Sequence, residues 1–75
     1  MDVSETLLPG VGIKYEFTTR TGTRVGMVAR RDGRIDLMVY GPDDADACTN
    51  LMTLTAAEAA GLAVVVDHQN GYLQV

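Results

Sequence analysis

The chain has 75 residues, with 10 acidic and 6 basic side chains and a net charge of −4. That is enough for one domain, and too little positive charge to make nucleic acid a natural partner, because Lys and Arg contacts to phosphate dominate such affinity. The single cysteine, Cys48, excludes a disulfide within the chain, and Cys48 with His68 falls short of the ligand set of a structural zinc site.

The N-terminal residues Met1-Asp2-Val3-Ser4-Glu5 are acidic and carry no apolar run of a secretory signal. The longest apolar stretch, residues 59–66, is far shorter than the ~20 residues of a membrane-spanning helix. With a lone cysteine, these features point to a reducing, cytoplasmic compartment. Residues 1–12 read as a leader ending in Leu8-Pro9-Gly10-Val11-Gly12. Pro9 presets φ and Gly10 tolerates φ > 0, so a turn is expected there.

Three strands follow at residues 13–19, 24–30 and 34–40, each alternating apolar and polar side chains. A one-residue slip would flip every side chain to the other face, so the turns can be tested against the alternation. A two-residue Asp32-Gly33 loop would put Leu37 opposite Val28 and Met38 opposite Met27, mismatching the apolar rows. A three-residue loop, Arg31-Asp32-Gly33 with Gly33 left-handed, pairs Ala29 with Ile35, Met27 with Leu37 and Val25 with Val39. The loop Arg20-Thr21-Gly22 likewise pairs Phe17 with Val25, Tyr15 with Met27 and Ile13 with Ala29. Both hairpins choose the same geometry, an antiparallel meander.

Gly41-Pro42-Asp43-Asp44 ends the sheet. Residues up to Thr53 read as a connector, with one helical turn near 44–49 as an option. Thr55-Ala56-Ala57-Glu58 has the pattern of a capping box, with Leu54 at the staple position. A helix follows from Ala56 to about Val66, weakened by Gly61 and by the β-branched run Val64-Val65-Val66. Asn70-Gly71 is a hairpin signal, so residues 63–75 could instead form two more strands. The expected architecture is α+β: a three-stranded antiparallel β-meander packed on one C-terminal α-helix, with a short extra helix or a C-terminal hairpin as the open options. Residues 1–66 form the single small domain and 67–75 a tail or linker.

No catalytic, cofactor or metal constellation stands out. His68 has no partner in reach. Cys48 follows an acidic run that raises a thiol pKa, and reads as a small half-buried residue. Asp43, Asp44 and Asp46 lack the spacing, central Gly and terminal Glu of an EF-hand loop. Gly10-Val11-Gly12 lacks the Lys and flanking elements of a phosphate loop. An enzyme is therefore not expected. On the outer face of the meander, Arg24 and Arg30 lie with Lys14, while Arg20, Arg31 and Arg34 sit at the loops. Edge protection and solubility would explain these charges, and so would docking to an acidic partner. Val28, Met38 and Tyr40 share that outer face and form a candidate contact surface with Arg24 and Arg30. Aromatic residues for stacking bases are few.

The order and spacing of several segments resemble the N-terminal domain of bacterial cation:proton antiporter regulatory subunits, the KhtT-like proteins. The resemblance runs through Glu5-Thr6-Leu7-Leu8-Pro9-Gly10-Val11-Gly12, Lys14-Tyr15-Glu16-Phe17 and Arg31-Asp32-Gly33-Arg34. It continues through Pro42-Asp43-Asp44-Ala45-Asp46 and Leu51-Met52-Thr53-Leu54-Thr55-Ala56-Ala57-Glu58-Ala59. It covers about residues 2–66, with Leu8, Pro9, Gly10 and Gly12 as a family signature of no known chemical role.

The resemblance implies a regulator on the cytosolic side of a membrane potassium/proton antiporter. It implies further that such a domain precedes a TrkA-C-type (RCK_C) domain binding a ligand such as cyclic di-AMP. No such domain lies within these 75 residues, so this stretch is expected to bind no nucleotide and no other cofactor, and to be either a truncated form or a naturally short one. The expected function is that of a non-catalytic regulatory domain that docks on the antiporter subunit and pairs as a homodimer. It would be cytoplasmic, associated with the membrane only through its partner, and would neither bind nucleic acid nor insert into the bilayer. The alternative is a stand-alone homo-oligomeric scaffold unrelated to transport.

Overall fold

A computed structural model describes residues 2–41 and 47–73. It contains five strands and one helix: β1 (Ser4–Leu8), β2 (Gly12–Thr18), β3 (Arg24–Arg30), β4 (Ile35–Tyr40), β5 (Cys48–Leu54) and α1 (Ala56–Leu73). The strands form one antiparallel sheet in the order β1-β2-β3-β4-β5. The expected three-stranded meander is thus only the middle of a five-stranded sheet, and that expectation is corrected at both edges.

Within β2, β3 and β4 the registers are those the alternation demanded. Phe17 faces Val25, Tyr15 faces Met27 and Ile13 faces Ala29, while Val25 faces Val39, Met27 faces Leu37 and Ala29 faces Ile35. Both connecting loops close as three-residue turns with their last glycine at positive φ, 92° at Gly22 and 94° at Gly33. In the second loop the Gly33 amide donates to the Arg30 carbonyl at 3.0 Å. Asp32 braces the turn by accepting from the Arg34 amide at 3.0 Å and from Arg34 Nε at 2.8 Å.

The two added strands arise from segments read as leader and connector. β1 pairs with β2 from Ser4↔Glu16 to Leu8↔Gly12. The Leu8-Pro9-Gly10-Val11 turn closes with the Val11 amide donating to the Leu8 carbonyl at 2.9 Å. β5 pairs with β4, but the register shifts: Leu37 faces Met52 and Met38 faces Asn50. Leu51 is the extra residue of a β-bulge, which breaks the period of two. The helical turn weighed near 44–49 fails at Cys48 and Thr49, which belong to β5; Asp43, Asp44 and Asp46 lie outside the described residues.

The capping box forms as read. The Thr55 amide donates to Glu58 Oε1 at 2.9 Å, and the Glu58 amide donates to Thr55 Oγ1 at 3.1 Å. The helix then runs past Val66 to Leu73. The hairpin alternative for residues 63–75 is overturned, because the backbone through Asn70 and Gly71 is helical.

Alternation gives the sheet an apolar face, with Ile13, Tyr15, Phe17, Val25, Met27, Ala29, Ile35, Leu37 and Val39, and a charged face. α1 meets the sheet chiefly at β5 and leaves much of the apolar face uncovered. Among the described residues no side chain is fully enclosed.

Candidate functional site

The charged face is built by one residue in two from β2, β3 and β4. Glu16 is its hub: its carboxylate lies 2.9 Å from Lys14 Nζ and accepts from Arg24 Nη2 at 3.0 Å. Both cations also sit over the Tyr40 ring, with Arg24 Cζ at 4.8 Å and Lys14 Nζ at 5.2 Å from its centroid, a favourable cation–π arrangement. The ring lies across Gly26, where a Cβ would meet Tyr40 Cε2 at 3.1 Å and Met38 Cγ at 3.0 Å. A second cluster ties three strands together: Arg30 Nε of β3 donates to Asp36 Oδ2 of β4 at 2.6 Å, and Thr53 Oγ1 of β5 donates to Asp36 Oδ1 at 2.7 Å.

These pairings set the titration of the face. The Tyr40 hydroxyl and then the Glu16 carboxylate hold Lys14 above the usual lysine value. Lys14, with a smaller contribution from Arg24, holds Glu16 below the usual carboxylate value. The Thr53 hydroxyl and then Arg30 hold Asp36 low in the same way. The face is therefore a fixed array of opposite charges over the neutral pH range.

The structure brings the sequence-read contact residues Val28, Met38, Tyr40, Arg24 and Arg30 onto one face, but corrects their exposure. Val28 is 8% and Tyr40 9% exposed, and Asp36 beside them 5%. The sequence alone places Val28, Met38 and Tyr40 as open apolar residues on an outer face. Instead, the long stems of Lys14, Arg24 and Arg30 reach over this face, as amphipathic side chains do. Met38 is half-buried, and only Arg24 and Arg30 stand exposed. The signature residues Leu8, Pro9, Gly10 and Gly12 lie at the β1–β2 turn, where Gly12 pairs with Arg30 at one end of this array. Cys48 is exposed on β5, not half-buried, and His68 is exposed on α1.

The second surface is one that sequence reasoning missed: an apolar groove of about 760 Å³ between the sheet and α1. Phe17, Met27, Ile35, Leu37 and Leu54 line its sheet side, and Ala59, Leu62, Ala63 and Val66 its helix side. The signal is present in the apolar side chains of the helix, which packs on the sheet but leaves this groove beside it. Among the described residues there is no group of three or more His, Cys, Asp or Glu placed to hold a metal, and no helix is long and apolar enough to cross a membrane.

Comparison of the sequence with known proteins matches it to a family. The family model described as "K(+)/H(+) antiporter subunit KhtT, N-terminal domain" matches residues 1–71. The chain is 30% identical over 66 residues to the protein named YrvC of Bacillus subtilis (strain 168). It is 29% identical over 66 residues to the K(+)/H(+) antiporter subunit KhtT of the same organism. Each match covers 88% of this chain and 40% of the relative, so the chain spans about two fifths of the length of these relatives.

Proposed function

The chain belongs to the family of the KhtT N-terminal domain, and from that premise we propose that it is a regulatory, non-catalytic domain of a potassium/proton antiporter system. It works by docking onto the cytosolic side of the antiporter, is held at the membrane only through that partner, and pairs with a second copy of itself. The family match over residues 1–71 carries this reading. The charged face suits the docking, because Arg24 and Arg30 stand exposed on it and Met38 on the same face is half-buried. A partner carboxylate can take the place of Glu16 or Asp36 on either guanidinium, exchanging one charge-assisted hydrogen bond for another. Nothing in this role calls for a nucleophile, a cofactor or a metal.

The test is K⁺/H⁺ exchange in membrane vesicles that carry the cognate antiporter, with and without added chain, together with co-sedimentation of chain and vesicles. The chain is expected to bind and to change the exchange rate. Arg24→Ala with Arg30→Ala is expected to weaken binding about tenfold, the loss of roughly 1.4 kcal/mol. Wild-type chain that neither binds nor alters exchange would overturn the proposal and leave the stand-alone scaffold.

A further inference from the structure

A sheet that does not close has two edges, and here they differ. β5 at one edge is bulged at Leu51, and a bulge twists an edge away from further pairing. α1 also lies against that side of the sheet. β1 at the other edge pairs with β2 residue for residue from Ser4 to Leu8, and Ser4, Glu5, Thr6 and Leu7 are exposed. It lacks the usual guards of an open edge, with no bulge, proline or lysine within it. Its outward backbone groups are a template for one more strand.

The C-terminal end of β1 adds side-chain recognition to that template. A cleft of about 480 Å³ opens there, with Leu7, Pro9, Ile13, Ala29, Arg30 and Arg31 in its lining. Leu7 is 72% exposed and faces Ile13 across the ladder, so an apolar side chain can pack on the pair. Arg31 makes no ion pair with another described residue, and Arg30 gives its Nε to Asp36, leaving its outer nitrogens to a further acceptor. The Arg31 amide donates to the Val11 carbonyl at 2.9 Å, which holds the arginine loop against the β1–β2 turn. Asp32, the nearest acid along the chain, is tied to Arg34. This end of the open edge is apolar and positively charged, and its complement is an extended segment that carries an apolar side chain beside a carboxylate.

We propose that β1 receives such a segment as an added strand, its apolar side chain in the cleft and its carboxylate on Arg31 and Arg30. This rests on the docking proposed above, which makes the segment part of the antiporter's cytosolic side. The backbone ladder supplies affinity whatever the sequence, and the cleft and the arginines supply specificity.

The test uses the full 75-residue chain and two blocked synthetic peptides of about ten residues, long enough for one added strand. Both alternate Val and Thr; one ends in Asp-Asp and the other in Lys-Lys. Binding is followed by amide hydrogen exchange read by NMR. The Asp-ended peptide is expected to bind about tenfold more tightly, as one charge-assisted hydrogen bond would give, and to slow exchange at the β1 amides. Arg31→Glu should reverse the preference, and Leu7→Asp should weaken both peptides. Arg20→Glu makes the same change of charge in the loop at the far end of β2, and screening should hold its effect to about twofold. No binding of either peptide, equal binding of the two, protection at β5 in place of β1, or β1 protection that rises with chain concentration in the absence of peptide would each overturn the proposal. The preference is read on wild type, so it decides even where a variant fails to fold. Antiporter vesicles separate the two readings. If wild type binds them and the double variant Leu7→Asp with Arg31→Glu binds equally well, this inference fails and docking stands. If the peptides behave as expected and wild type ignores the vesicles, the edge site stands and docking on the antiporter fails.

Discussion

Gly12 occupies a position that no other residue can take. Its φ is +154°, and a Cβ there would lie 1.9 Å from the Ala29 carbonyl oxygen, a backbone atom with no freedom to move. Gly10, two residues earlier in the same turn, has φ +78° and open space around it. The signature noted in the sequence thus has a structural cause: Gly10 makes the turn, and Gly12 lets β2 lie against β3. Gly12→Ala combines backbone strain with a clash and is expected to cost about 3 kcal/mol or more, most of the stability of so small a domain. Gly10→Ala carries the strain alone, about 1–2 kcal/mol. Urea unfolding followed by circular dichroism should show the first unfolded or nearly so and the second folded with a lower midpoint. Equal midpoints would remove the close approach as the reason for Gly12.

Asp36 is the other residue on which several strands depend. The Thr53 hydroxyl and then Arg30 hold its carboxyl below the ordinary 3.8, so the folded form prefers the ionised state. Its contribution is present above that ordinary value and is lost as pH falls through the folded value. Glu16, held below its ordinary 4.5 chiefly by Lys14, adds in the same direction. Lys14 is raised and keeps its contribution until pH climbs past the ordinary lysine range. Stability is therefore expected to be flat through neutral pH and to fall from about pH 4.5 downward. Asp36→Asn should lower the neutral-pH stability by about 1.5–3 kcal/mol and make the acid limb shallower. Urea midpoints between pH 7 and pH 3 read both, and an acid limb equally steep in the variant would show that Asp36 does not drive it.

At the scale of elements, legibility followed the strength of the local signal. β2, β3 and β4 each alternate cleanly and end in glycine-containing loops, so both their faces and their registers could be read from the residues. The capping box was legible because Thr55 and Glu58 satisfy each other's amides within one turn. β5 was illegible for a definite reason: the bulge at Leu51 puts Leu51 and Met52 side by side, so Cys48-Thr49-Asn50-Leu51-Met52-Thr53-Leu54 has no period of two. β1 is short and polar at Ser4, Glu5 and Thr6, and only its partner across the ladder makes it a strand. The helix was cut short at the Val64-Val65-Val66 run and Asn70-Gly71 because local propensity argued against it. Propensity is a weak prior there, and the capped helix simply continues. The buried positions were misassigned because alternation says which residues share a face but not which face is covered. Val28 and Tyr40 are buried on the charged face, while Ile13, Met27 and Leu37 on the apolar face are half-buried or exposed.

For the whole molecule, the proposed self-pairing would make folding and association one event. A sheet whose apolar face is half open, beside a helix whose Leu62, Val64, Val65 and Val66 are exposed, buries little apolar surface within one chain, so the proposed pair should be the more stable form. The melting temperature must then depend on protein concentration, since mass action favours the associated form. For a two-fold pair of chains of this length, each tenfold rise in concentration adds about 1.4 kcal/mol to the folded pair and should raise the melting temperature by about 3–5 °C. Thermal unfolding followed by circular dichroism from micromolar to millimolar chain reads this directly. A melting temperature independent of concentration would mean that one chain is stable as it stands. Where the pairing runs through the groove that Leu62 lines, Leu62→Asp should abolish the concentration dependence as well as lowering the midpoint. Asp36→Asn should lower the midpoint and keep the slope, because it weakens the sheet without touching the groove.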